Sequence, residues 1–415
     1  DLGIISQYTE NNYNSYNDLL RYLIFIFIPV FLFFVFFVRK KNYKIFLDCL
    51  NFNKQNNFIH QKINYFILLS LISISLIEFF SIEFPIQVID SFHEGQKMSA
   101  AFKFTKLGSL WSGSFVTVGI IYEVVASYFI WDLFDIQSIG LSRFIDLFFL
   151  LVLKILLILF IFQISKTINL NNYLRLVFLI LNSFFVTNMI DYHSQVGPLL
   201  YREIPVILSL LIFFQYIIKQ DLFSKILIIF FGPLSCLSIF LSVDRGIITN
   251  LIIISIIIFL LINKEFKTTL IILLSIILSW IFSALFLGNE FEFFLENTRI
   301  MLGEINQIGG IIHPIPFSGE KNASRATKSL FLIAVSIIIS LDLCFRKKND
   351  LFNKNLKIII LFLSISGFLS YGYALGRSDG PHIKSSIGYN LILFFIFFTY
   401  SILKIIEQKI SYKIE

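Results

Sequence analysis

Charge is what this chain has least of. Asp, Glu, Lys and Arg make up 15% of it, against about 25% in a soluble globular domain. That shortage excludes an ordinary water-soluble enzyme or binding domain. Cysteine is scarce as well. Cys49, Cys236 and Cys344 are the three; they fall in an expected inner loop or in expected helices and suggest neither a disulfide framework nor a metal site. No Walker loop, Rossmann glycine pattern, zinc motif or GxSxG elbow appears, which argues against nucleotide-driven transport and against a serine hydrolase. No repeat of roughly 20–50 residues recurs. No soluble catalytic domain stands at either end, and no cleavable signal peptide follows the opening Asp1.

What fills the chain instead is apolar. Hydrophobic residues reach 57%, with a mean hydropathy of +0.81, and many apolar runs approach the ~20 residues that cross a bilayer as a helix. The expected fold is all-α: a single polytopic transmembrane domain over 1–415 with about eleven spans. They are expected near 21–38, 64–82, 142–163, 174–190, 204–218, 225–242, 246–262, 268–288, 328–345, 357–373 and 388–405. Residues 1–20 are polar and Asn-rich and carry no assigned structure. The 51 Phe need no functional reading.

Orientation comes from the basic residues, which favour the cytoplasmic side. Arg39, Lys40, Lys41 and Lys44 close the first span and place it. Residues 115–134 look apolar enough to cross. If they crossed, the loops with Lys219 and Lys225, with Lys264 and Lys267, and with Arg346, Lys347 and Lys348 would all face outward. The segment also holds Glu123, Trp131 and Asp132, with Trp111 just before it. It is therefore expected to lie flat on the outer surface as an interfacial helix; the alternative is a true crossing offset by a split helix elsewhere. With that choice the inner side takes 20 Lys and Arg against 7 acids, and the outer side 13 against 20, counted from the sequence. The net charge of +7 then belongs to cytoplasmic loops, and no nucleic-acid partner is expected. Lys154 is left in mid-membrane, to pair with a neighbouring helix or to snorkel.

Five polar groups of residues gather on the outer side. The first is Asp90, His93, Glu94, Lys97, Lys103 and Lys106. The second is Asp191-Tyr192-His193 with Tyr201-Arg202-Glu203. The third is Asp244-Arg245, between two apolar helices. The fourth is the loop 289–327, with His313 among its charges. The fifth runs Arg377-Ser378-Asp379-Gly380-Pro381-His382-Ile383-Lys384. Bland readings stand beside each: a tight-turn ion pair for Asp244-Arg245, a solvated face for 289–327, a helix cap for Asp90. Ionisable groups at a membrane edge are costly unless used, so Asp90-x-x-His93-Glu94 and Arg377-x-Asp379-x-x-His382 carry the most weight. Carboxylates beside Arg, Lys and His suit an anionic lipid substrate. The cations can hold a phosphate, and a carboxylate can take a proton from an attacking hydroxyl.

Ile89-Asp90-Ser91-Phe92-His93-Glu94-Gly95, the segment 115–134 and Gly140-Leu141-Ser142-Arg143 together resemble the GT-C superfamily of polytopic membrane glycosyltransferases. There an acidic motif in the first outer loop is followed by interfacial helices and by a span opening with a basic residue. The resemblance covers mainly 64–165; the helix at 21–38 and the missing C-terminal outer domain depart from it. It implies transfer of a sugar from a polyprenyl-phosphate-linked donor to a cell-envelope glycan, lipid or protein acceptor, on the outer face of the cell membrane. It makes Asp90 the candidate base, with Glu94 and His93 its catalytic neighbours. Arg202, Asp244, Arg245, Arg377, Asp379, His382 and Lys384 are the candidate substrate-binding residues. No cofactor is expected, and a divalent ion is left open. An O-antigen polymerase- or ligase-like enzyme and a non-enzymatic lipid or polysaccharide transporter are the competing readings.

Overall fold

The computed structural model describes residues 14–37, 43–50, 62–82, 93–190, 192, 197–219, 221–303, 310–345 and 352–411. Asp90, Asp191 and His193 lie outside them, as does the side chain of His93.

Every regular element among the described residues is a helix. In chain order they are α1 (Ser15–Phe37), α2 (Tyr43–Leu50), α3 (Lys62–Phe80) and α4 (His93–Leu107). Next come α5, in which a π turn (Ile121–Val125) runs into Ala126–Phe134, then α6 (Ile139–Ser165) and α7 (Asn172–Asn188). They are followed by α8 (Tyr201–Lys219), α9 (Leu222–Leu241), α10 (Val243–Ile262) and α11 (Phe266–Leu287). The chain closes with α12 (Asn289–Gly303), α13 (Ala323–Phe345), α14 (Lys354–Gly376), the short α15 (Gly380–Ser385) and α16 (Gly388–Ser411). Helices dominate because lipid offers backbone N–H and C=O groups no partner, so each span must satisfy its own.

Among the described residues, nine helices are long and apolar enough to cross a membrane: α1, α6, α8 to α11, α13, α14 and α16. The protein is an integral membrane protein. The other two expected spans are present as helices of marginal length. In α3 the apolar stretch is Tyr65–Phe80, and α7 has 17 residues. α1 starts at Ser15, inside the Asn-rich segment left unassigned, because its Asp18 is buried and accepts from the His313 backbone N–H at 2.9 Å. α9 contains a 3-10 turn at Ile228–Phe230, where Ser275 of α11 donates to the Ile229 carbonyl at 2.5 Å.

α6 and α8 form the axis of the core. Leu153, Leu157, Phe160, Ile161 and Ile164 of the first, and Val206, Ile207, Leu210 and Phe214 of the second, are essentially inaccessible. α11 stands at the rim, its apolar side chains mostly exposed, as suits a helix that faces lipid.

Helix α5 does not run through the bundle. Its approach is pinned by Val243 N–H donating to the Val118 carbonyl at 2.8 Å, at the α9–α10 corner. The backbones there are so close that a Cβ on Gly119 would fall 2.3 Å from the Leu241 carbonyl oxygen. Its far end returns to the start of α6, where Trp131 Nε1 donates to the Ser138 carbonyl at 2.8 Å. The helix stops at Asp135, whose φ of 52° is left-handed and cannot continue it. Both ends of α5 thus sit at one end of the bundle, called here the polar end. Helix formation covers 120–134, and 115–119 is an irregular lead-in.

Candidate functional site at the polar end

Two crossed ion pairs bind α4 to α6. Arg143 Nε and Nη2 donate to the two Glu94 carboxylate oxygens at 2.5 and 2.9 Å. One turn on, Lys97 Nζ lies 2.5 Å from Asp146. Residues three apart share a helix face, so the acid-base order of 94 and 97 meets the base-acid order of 143 and 146. All four side chains are mostly buried. Glu94 is therefore a bidentate partner of Arg143, a geometry that spends both its oxygens.

Helix α5 adds Tyr122 and Glu123. The Glu123 carboxylate accepts from Thr117 N–H at 2.9 Å, Thr117 Oγ1 at 2.6 Å and Val118 N–H at 3.0 Å, and from Gln96. Burial pushes its carboxyl up, and these donors pull it back. Glu123 is thus the clamp of the 117–118 turn. Tyr122 turns toward the cations: its ring centroid is 5.1 Å from Lys97 Nζ and 5.9 Å from the Arg202 guanidinium.

Arg202 is the centre of the arrangement. Nη2 donates to the Tyr373 hydroxyl at 3.0 Å and Nη1 to Ser242 Oγ at a long 3.4 Å. Its nearest carboxylate is Asp244, 3.6 Å away, beyond a good hydrogen bond. It keeps its charge, lies between the Tyr122 and Tyr373 rings, and has donor capacity to spare. Behind it, Arg245 and Glu203 form a fully buried pair at 3.0 Å, each 1% exposed. Tyr389 donates to Glu203 at 2.7 Å, and the Arg245 guanidinium lies 4.3 Å from the Tyr373 ring centroid. Asp244 accepts from Ser242 and is the more exposed member, at 32%.

The 377–384 segment is built differently. Asp379 caps α15: it accepts from the His382 backbone N–H at 3.0 Å and from His382 Nδ1 at 2.5 Å, while Arg377 Nε donates to it at 2.9 Å. Burial works against its charge, yet the His382 bonds, helped by Arg377, hold its carboxyl below the usual range. Lys384 is exposed. The segment meets the site where the Tyr373 and His382 rings lie tilted, 4.8 Å apart, and α15 meets it again where Arg245 Nη2 donates to the Ser385 carbonyl at 3.4 Å.

His313 serves the fold. Its ring meets the Pro314 carbonyl through Nδ1 at 3.0 Å and the Tyr371 hydroxyl through Nε2 at 2.8 Å. A carbonyl only accepts, so Nδ1 carries the proton. Burial holds the imidazole down, at about 4. Lys154 pairs with Glu78 of α3 at 2.8 Å, the neighbouring-helix alternative expected for it. Among the described residues no group of three or more His, Cys, Asp or Glu could hold a metal.

An apolar groove of about 820 Å³ opens between α9 and α11, with Trp111, Ile121, Val125, Phe240, Leu278 and Phe286 in its walls. Ile121 and Val125 face it while Tyr122 faces Arg202, so α5 stands between groove and cations.

Of the sequence candidates, the structure brings Glu94, Arg202, Asp244, Arg245 and, through Tyr373, Asp379 and His382 to one end. Tyr122, Asp146, Tyr373 and Tyr389 were not singled out. The reversed spacing of Glu94/Lys97 and Arg143/Asp146 was the available signal. No known protein family, curated protein or solved structure matches the chain.

Proposed function

We propose that this protein is a membrane glycosyltransferase. It moves a sugar from a polyprenyl-phosphate-linked donor to a cell-envelope glycan, lipid or protein acceptor, at the outer face of the cell membrane. The observation that carries the reading is Arg202: a partly accessible guanidinium between two phenol rings, with no carboxylate within close hydrogen-bond range. Such a group is suited to a phosphate. The segments that resemble the acidic motif and the basic helix start of GT-C enzymes are joined by Glu94–Arg143. In this scheme Asp90 takes the acceptor proton, Glu94 fixes the acidic loop against α6, and Arg202 holds the departing lipid phosphate. Arg377 and His382 act from the side by orienting Tyr373.

The deciding experiment reconstitutes the full chain in proteoliposomes with radiolabelled polyprenyl-phosphate sugars and an envelope extract as acceptor. Transfer that is lost in Asp90→Asn and weakened in Arg202→Ala supports the assignment. Donor movement across the bilayer with no new glycosidic product would replace it with a transporter.

A further inference from the structure

At the end of the bundle opposite Arg202, α2 lies across α13 and α14. It brings together two cysteines that are 344 − 49 = 295 positions apart. Cys49 is buried on α2 and Cys344 on α13, and these two helices pack against each other. Both are free thiols, Cys49 being 8% exposed and Cys344 inaccessible. The adjoining Phe46 and Phe345 rings stack at 4.8 Å and 22°, so the two backbones are held in register beside the thiols. Cys236 is the contrast. It is buried alone and points its thiol at the Gly232 and Pro233 carbonyls of its own helix, at 3.7 and 3.4 Å.

We propose that Cys49 and Cys344 are a redox pair whose oxidation by a small disulfide, such as oxidised glutathione, fastens α2 to α13. The Cys49 thiolate attacks one sulfur of the oxidant and expels the first glutathione thiolate, leaving a mixed disulfide. The Cys344 thiolate then attacks the Cys49 sulfur and expels the second. Two protein thiols and one disulfide become one protein disulfide and two glutathione thiols, with electrons and protons balanced. Cys49 is the entering nucleophile because it is the more accessible of the two. The neighbouring Cys344 side chain, with the Lys357 and Lys354 charges, holds the Cys49 thiol below the usual range despite burial. With eight residues, α2 is too short to be stable alone. It can lift from α13 to admit the oxidant, and the disulfide removes that freedom.

The test uses the detergent-solubilised full chain, incubated with oxidised or reduced glutathione, quenched in acid, denatured and alkylated. The oxidised sample should carry one alkyl group, on Cys236, and yield a disulfide-linked peptide pair containing Cys49 and Cys344. The reduced sample should carry three. Amide exchange across 43–50 should slow by about tenfold or more on oxidation. Three alkylated cysteines in the oxidised sample, or glutathione retained on Cys49 without transfer to Cys344, would overturn the pairing. A formed disulfide with unchanged exchange in 43–50 would overturn the fastening.

Discussion

Around Arg202, charges are paired between helices. Glu94 meets Arg143, Lys97 meets Asp146, and Glu203 meets Arg245. In the 377–384 segment, Asp379 meets Arg377, His382 and its own helix start within six residues. Both regions are dense in ionisable groups, and by composition the second is the more conspicuous. The contrast teaches that a charged motif which closes on itself is first of all a turn. Charges paired across scaffold helices leave Arg202 with Asp244 no nearer than 3.6 Å.

The sharpest way to break the comparison is through the buried pair. Removing one partner of a buried ion pair strands the other charge and costs about 3–5 kcal/mol. Arg245→Ala should therefore unfold at markedly lower temperature or denaturant in detergent. Near-wild-type stability would mean that the inter-helix pairs are not the scaffold of the site.

Asp90→Asn comes next. Asn caps a helix about as well as Asp but cannot take a proton, so turnover should fall on the order of 100-fold or more in a protein of unchanged stability. Normal transfer by the folded variant would remove Asp90 as the base.

Arg202→Ala should weaken donor binding by about 1.5–3 kcal/mol, the range for hydrogen bonds to charged groups. Arg377→Ala should do less, since Arg377 is held by Asp379. Titration with the lipid donor in nanodiscs compares the two, and a larger loss at Arg377 would invert the assignment.

The smallest effect belongs to the cap. Asp379→Ala should cost about 1 kcal/mol, and Asp379→Asn only a few tenths. The Asp379 carboxyl sits below its ordinary 3.8, so its contribution is present above that pH. It should fade as pH falls through the lower folded value. Thermal melts from pH 6 to pH 3, in which Asp379→Asn lacks this component, would check the sign.

Much of the fold was legible because a membrane makes one demand above others. A run of ~20 apolar residues has few structures available there besides a helix, and among the described residues nine such helices stand where the hydropathy puts them. Length blurred the reading at α3 and α7. At α1 it was the Asn-rich prefix, which gains its first helical turns through the contact of Asp18 with a loop 295 residues away. The site was legible in part. Arg202 drew less weight than the Asp90–Glu94 and Arg377–His382 motifs, while Asp244-Arg245 stood out between two apolar helices. Tyr122 and Tyr373 did not, because tyrosine at a membrane edge is ordinary.

Composition, spans and the ends at which charges accumulate follow from the sequence, because each depends on residues close together in the chain. Which carboxylate meets which cation was decided only by the tertiary structure. Glu94 and Arg143 are 49 residues apart, as are Lys97 and Asp146. Nothing local to Cys49 or Cys344 marks that α2 packs on α13, and Arg202 is left with donors to spare because Asp244 comes no nearer than 3.6 Å. Those relations depend on how helices cross and rotate against one another, and in lipid that is set by packing and polar contacts along whole helix faces, which no single segment encodes.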